Sequence, residues 1–65
     1  MTWYLDCYSH NAICGKEFPV NSYYCNDLYD LLSSAKRILL SKNSGVDEVR
    51  ISLNTKGQNP ISIYE

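Results

Sequence analysis

Residues 26–42 read NDLYDLLSSAKRILLSK and have the periodicity of an amphipathic helix. Their apolar side chains recur every three or four positions, which places them on one helix face. Asn26 or Asp27 can cap the first turn, because a short side-chain oxygen accepts a free backbone amide hydrogen. The Asn-Ser-Gly run at 43–45 predicts the end of the helix. The apolar positions of this predicted helix are Leu28, Leu31, Leu32, Ala35, Ile38 and Leu39.

The chain before the helix predicts a β-hairpin. Residues 2–8 alternate between apolar and polar side chains, as a half-buried strand does. Residues 13–20 read as a second strand, and Pro19 favours a position at the edge of the sheet because proline donates no ladder hydrogen bond. A turn is expected at 9–12, and a polar, aromatic connector at 21–26.

The chain after the helix predicts a second hairpin. Glu48–Leu53 alternates, with Val49, Ile51 and Leu53 expected on the buried side. A turn rich in Asn, Gly and Pro separates this strand from Ile61–Tyr64, which is the fourth predicted strand.

The resulting element order, β-β-α-β-β, predicts one α+β domain over residues 1–65. One helix covers one face of a sheet, so we expect two layers: a four-stranded antiparallel sheet with the helix packed on one face. The opposite face stays open. The side chains expected on this open face are Tyr4, Asp6, Tyr8, Arg50, Ser52, Ser62 and Tyr64.

Length and charge exclude several classes of protein. A chain of 65 residues has room for one domain. The net charge of −1 argues against a strongly basic nucleic-acid binder. No apolar run approaches the ~20 residues of a membrane span, and residues 1–10 lack the pattern of a signal peptide. We therefore expect a cytoplasmic protein whose three cysteines are reduced, since an odd number does not complete a disulfide framework.

A zinc-stabilised module is one alternative. Cys7, His10, Cys14 and Cys25 follow the pattern C-x2-H-x3-C-x10-C, and thiolate and imidazole groups suit tetrahedral zinc. This spacing matches none of the common structural zinc patterns. The simpler interpretation is that the cysteines are small buried apolar residues and that the histidine lies in a turn. No cofactor is therefore predicted.

The tyrosine content favours a binding function. Six tyrosines occur in the chain, and tyrosine is enriched in protein interfaces because it joins a large apolar ring to a polar tip. Cross-strand pairing that stiffens a small sheet is the simpler explanation. Stacking of single-stranded nucleic acid on the open face is a further alternative. The carboxylates are scattered and show no acid-base pairing, so an enzyme is not predicted.

The segment LSSAKRI at residues 32–38, followed by a glycine-containing break and VRI at residues 49–51, resembles a helix-to-strand section of small type I-F anti-CRISPR proteins from phages and mobile elements. The resemblance implies a non-enzymatic inhibitor that docks on a CRISPR surveillance complex and blocks recognition of target DNA. Lys36 and Arg37 match basic positions of that helix. A protein partner is therefore expected, with the chain a monomer or a homodimer. The predicted partner-binding residues are Tyr4, Tyr8, Lys36, Arg37, Arg50 and Tyr64.

Overall fold

The four strands form one antiparallel sheet in a computed structural model that describes residues 1–64. The strand order is β2-β1-β3-β4, so the two hairpins meet where β1 pairs with β3. The helix α1 packs against β1, β2 and β3 on one face of the sheet. The predicted two-layer α+β fold is therefore confirmed. The elements are β1 (Trp3–His10), β2 (Glu17–Cys25), α1 (Leu28–Leu40), β3 (Glu48–Leu53) and β4 (Ile61–Tyr64).

The hydrophobic core lies between α1 and the two central strands. Leu31, Ala35 and Leu39 are the buried residues of the helix, and all three belong to its predicted apolar face. Leu32 lies at the border of that face and is more exposed than predicted. The other buried residues of the core are Leu5 and Cys7 on β1, Val46 in the loop between α1 and β3, and Val49 and Ile51 on β3.

Both ends of α1 follow from local hydrogen bonds. The Asp27 carboxylate accepts the amide hydrogen of Tyr29 at 2.9 Å and caps the first turn, as predicted. The helix ends at Leu40, earlier than the predicted stop at 43–45, because the Ser41 backbone is extended, and the Ser44 hydroxyl donates to the carbonyl group of Ile38 at 2.9 Å. Among the described residues, no helix is long and apolar enough to span a membrane.

The second strand differs from its prediction. It begins at Glu17 and continues through the predicted connector to Cys25. Asn11 holds residues before Glu17 in the hairpin loop, since its side-chain oxygen accepts the amide hydrogens of Ile13 and Cys14. Aromatic and β-branched residues favour a strand wherever a partner strand is available, and β1 supplies that partner along residues 17–25.

The predicted sides of β3 are correct, but the predicted exposure of three of its side chains is wrong. Leu53 was expected to be buried but is 40% exposed, because it lies at the end of its strand. Ser52 was expected on the open face, and the alternation of β3 turns Glu48 to the same side, but each is only 1% exposed. Arg50 and His10 lie against Glu48, and Gly57 of the β3–β4 loop contacts Ser52. Part of the open face is therefore covered rather than exposed.

Candidate functional site

The open face is the side of the sheet away from α1, and strand register brings predicted residues together there. Tyr4 lies opposite Ser52, Tyr8 opposite Glu48, and Glu48 opposite Tyr64. Asp6 and Arg50, which also face each other across β1 and β3, belong to the same side. The sequence therefore correctly placed Tyr4, Tyr8, Arg50 and Tyr64 on one face.

The β3–β4 loop folds over one part of the open face. The Gly57 amide donates a hydrogen bond to the Ser52 hydroxyl at 3.2 Å. Lys56 reaches Asp6, with its ammonium nitrogen 3.6 Å from a carboxylate oxygen. Ser22 also donates to Asp6, at 2.7 Å. These contacts give buried polar groups their partners, so this part of the face is ordered.

An ionic cluster of His10, Glu17, Asp47, Glu48 and Arg50 occupies the other part of the open face. Arg50 donates to Glu48 through Nε at 2.9 Å and through a terminal nitrogen at 3.1 Å, and it also donates to Glu17. Its guanidinium carbon lies 4.0 Å from the centre of the Tyr8 ring. Arg50 is therefore held in one position by three strands, rather than being a free surface charge.

His10 links this cluster to the loop before β3. Its Nδ1 lies 2.6 Å from a carboxylate oxygen of Asp47, and its Nε2 lies 3.2 Å from one of Glu48. Both ring nitrogens therefore face acceptors, and only the protonated imidazolium donates from both. The hydrogen bond to Asp47 raises the pKa of His10 and lowers the pKa of Asp47. The hydrogen bond from Arg50 is the main cause of a lowered pKa at Glu48.

Protein stability is expected to fall as the pH rises from 6 towards 8. The pKa of His10 is raised above its ordinary 6.5, so its contribution is complete below that value and is lost as the pH rises through the folded-state pKa. The lowered pKa values of Asp47 and Glu48 act oppositely, and their contributions are lost only in acid, below their ordinary 3.8 and 4.5. Urea unfolding of the wild-type protein and of His10→Gln across this range provides the measurement. If the free energy of unfolding of His10→Gln falls with pH as steeply as that of the wild-type protein, His10 is not the cause of the pH dependence.

The ionic cluster also contains metal-ligating groups. Ligand atoms of His10, Glu17 and Glu48 all lie within 4.8 Å of one another. Arg50 already neutralises both carboxylates by direct hydrogen bonds. A cation would have to displace that guanidinium, so the cluster is better described as an ion-pair network than as a metal centre.

The structure separates the residues of the alternative zinc site. Cys7 is buried against the helix, whereas His10 belongs to the ionic cluster on the opposite face. The two residues are three positions apart in one strand, and side chains alternate between faces. Cys14 lies in the hairpin loop, and Cys25 lies at the other end of β2, paired with Trp3. These four residues therefore do not form one site in the structure.

The three cysteines are free thiols. Burial, aided by the nearby charge of Asp6, raises the pKa of Cys7. Its thiolate form is correspondingly disfavoured, although the thiolate is the form that attacks substrates and binds metals. Cys7 and His10 also lie on opposite sides of β1, so they do not form a nucleophile-base pair.

The two basic residues of α1 lie away from the open face. Lys36 lines a groove between α1 and β4, whereas Arg37 lines a groove between α1 and β2. Consecutive residues of a helix point about 100° apart, which explains why neighbours in sequence reach different grooves. The predicted partner-binding set is therefore divided among the open face and two sides of the helix.

The sequence prediction missed Tyr24. This residue is 77% exposed and lies opposite Tyr4, with ring centres 6.5 Å apart. It was missed because residues 21–26 were interpreted as a connector. The alternation of Ser22 and Tyr24 with Tyr23 and Cys25 was the signal for a strand.

The charge of the open face disfavours nucleic acid as its partner. Its ionic cluster contains three carboxylates, from Glu17, Asp47 and Glu48, beside Arg50 and His10. Affinity for nucleic acid comes mainly from cationic groups that neutralise phosphates. Here the guanidinium of Arg50 is already paired with carboxylates.

No known protein family, curated protein or solved structure matches this chain. The fold and the site define a small α+β domain that presents a tyrosine-rich sheet face with an ordered ionic cluster.

Proposed function

We propose that this protein is a non-enzymatic binding module whose open face docks on another protein. The observation that carries the proposal is that tyrosines line a sheet face on which no helix packs within residues 1–64. Tyrosine and arginine are among the residues that most often dominate binding energy in protein interfaces. A face with both residue types suits protein recognition.

The side chains of this face are already held in place, which lowers the entropy cost of binding. Binding costs conformational entropy wherever flexible side chains must be immobilised. Arg50 is already held by Glu17 and Glu48 and packs on Tyr8. Its immobilisation in a complex therefore costs little, and the neighbouring tyrosines add rigid contact area.

The most specific form of the proposal is an anti-CRISPR inhibitor in the cytoplasm of an infected cell. The resemblance of the segment at 32–38 to type I-F anti-CRISPR proteins supports this partner class. The inhibitor would bind a type I surveillance complex and prevent it from recognising target DNA. Lys36 and Arg37 lie away from the open face, so a large partner would have to reach around the domain to contact both surfaces.

Tyr24→Ala is expected to weaken binding to a purified type I-F surveillance complex by about thirtyfold, because losing one aromatic hot spot costs about 2 kcal/mol. Biolayer interferometry measures the affinity, and competition with labelled target DNA measures inhibition. Tyr29→Ala is the matched control, since Tyr29 is 81% exposed but lies on the helix.

Each result of this experiment has a distinct meaning. Wild-type protein that does not bind the complex would exclude the anti-CRISPR assignment. Binding that survives Tyr24→Ala but is lost on charge reversal of Lys36 and Arg37 would move the interface from the open face to the helix. Equal losses in Tyr24→Ala and Tyr29→Ala would also contradict an interface confined to the open face.

A further inference from the structure

A groove of about 380 Å³ lies between α1 and the outer strand β2. Tyr23 lines it from the strand, and Leu31 and Ile38 provide apolar helix side chains. Asp30 and Arg37 line the same groove about two helical turns apart, with Ser34 between them. The groove is therefore apolar in part and carries opposite charges towards its two ends.

The edge of β2 beside this groove lacks the features that usually prevent pairing with another chain. An edge strand has unpaired backbone groups, and proteins protect them with prolines, bulges or charged side chains. In β2 these features occur near the start, where Glu17, Pro19 and an irregular register are found. Residues 21–25 contain neither proline nor charge and keep a regular register with β1.

We propose that this edge pairs antiparallel with β2 of a second copy of the chain, joining two sheets into one continuous sheet in a symmetric dimer. In a two-fold arrangement, residue i of one copy meets residue j of the other, and j meets i. An axis near the level of Ser34 brings Asp30 towards Arg37 of the second copy, and Arg37 towards Asp30. The groove is thus self-complementary in charge.

The ion pairs of the described chain support this pairing. Neither Asp30 nor Arg37 forms an ion pair within residues 1–64, and both are exposed. Their charges are therefore available to a second copy. An extended peptide from another protein would use the same backbone edge, but it would not explain the opposite charges placed on either side of Ser34.

Size provides a further argument for a second copy. A domain of about 60 residues buries a smaller fraction of its surface than larger domains do, and association is one way to stabilise such a chain. The dimer uses the β2 edge and leaves the open face uncovered. It therefore stands independently of the proposed function. It would also bring the two copies of Tyr24 to the junction of one larger face.

Sedimentation equilibrium from micromolar to submillimolar concentration tests the dimer. Arg37→Asp and Asp30→Arg each place like charges across the axis, and each is expected to weaken dimerisation by at least about tenfold. Combining the two substitutions in one chain restores opposite charges across the axis and is expected to restore the dimer. Lys36→Asp, on the other side of the helix, is the matched control and is expected to leave dimerisation unchanged.

Circular dichroism melting shows whether each variant is folded, and Arg37→Gln provides a milder substitution if Arg37→Asp unfolds the chain. A wild-type protein that stays monomeric throughout the concentration range would overturn the proposal. Dimerisation that is unchanged by both single charge reversals would also overturn it. So would a double variant that dimerises no more tightly than the single variants.

Discussion

Leu5→Ala is expected to lower the free energy of unfolding by about 3 kcal/mol and so to cause one of the largest losses of stability of any single substitution in this chain. Leu5 is fully buried in the central strand β1, where it lies between Tyr23 on β2 and Ile51 on β3. Truncation removes buried methyl groups and leaves a cavity, a combination that costs about 3 kcal/mol. A domain of this length has a total stability on the order of 3 to 10 kcal/mol. The loss is therefore at least about a third of the whole free energy of unfolding.

Urea unfolding followed by circular dichroism measures this effect. Leu40→Ala is the matched control, because Leu40 is 66% exposed at the end of α1 and its truncation is expected to cost less than about 0.5 kcal/mol. Similar unfolding midpoints for the two variants would show that Leu5 does not occupy the centre of the core.

Arg50→Ala is expected to destabilise the protein by about 3 kcal/mol, the lower part of the range for breaking a buried ion pair, since Arg50 is itself partly exposed. Glu48 would lose both hydrogen bonds from the guanidinium while remaining almost fully buried. His10, at 3.2 Å, would be the cation left beside Glu48, so the desolvation of this buried carboxylate would be offset less completely. Glu17 would also lose its ion pair with β3, so the start of β2 would be attached less firmly to the rest of the sheet.

The double variant Arg50→Ala, Glu48→Gln separates this explanation from a general loss of packing. Removing the charge of Glu48 as well is expected to recover part of the lost stability, measured as a higher urea midpoint than that of Arg50→Ala alone. A double variant whose loss equals the sum of the two single losses would show that Glu48 and Arg50 do not act as a pair.

Local patterns in the sequence predicted much of the fold. The helix is specified by its apolar periodicity and by Asp27, and both appear in the structure. Glu48–Leu53 and Ile61–Tyr64 form strands with the predicted bounds, because alternation and turn residues are signals carried within a few positions. Alternation also placed Tyr4, Tyr8, Arg50 and Tyr64 on the open face. The anti-CRISPR function stays a prediction.

Other features depend on which strands become neighbours. Residues 21–25 form a strand because β1 pairs with them, although their own composition resembles a connector. Glu48 is buried because Arg50, from its own strand, and His10, from β1, lie against it. A sequence pattern shows that a residue points away from the core, but it does not show which side chains will cover it.

The local sequence of this protein determined its helix, its strands after the helix and the sidedness of its open face, since each depends on periodicity over a few residues. Tertiary structure decided the ionic cluster and the separation of Lys36 from Arg37. Pairing β1 with β3 joins residues about 40 to 50 positions apart, and packing of α1 turns its two cations towards different strands. Such contacts depend on the three-dimensional arrangement of the whole sheet, which no single segment encodes.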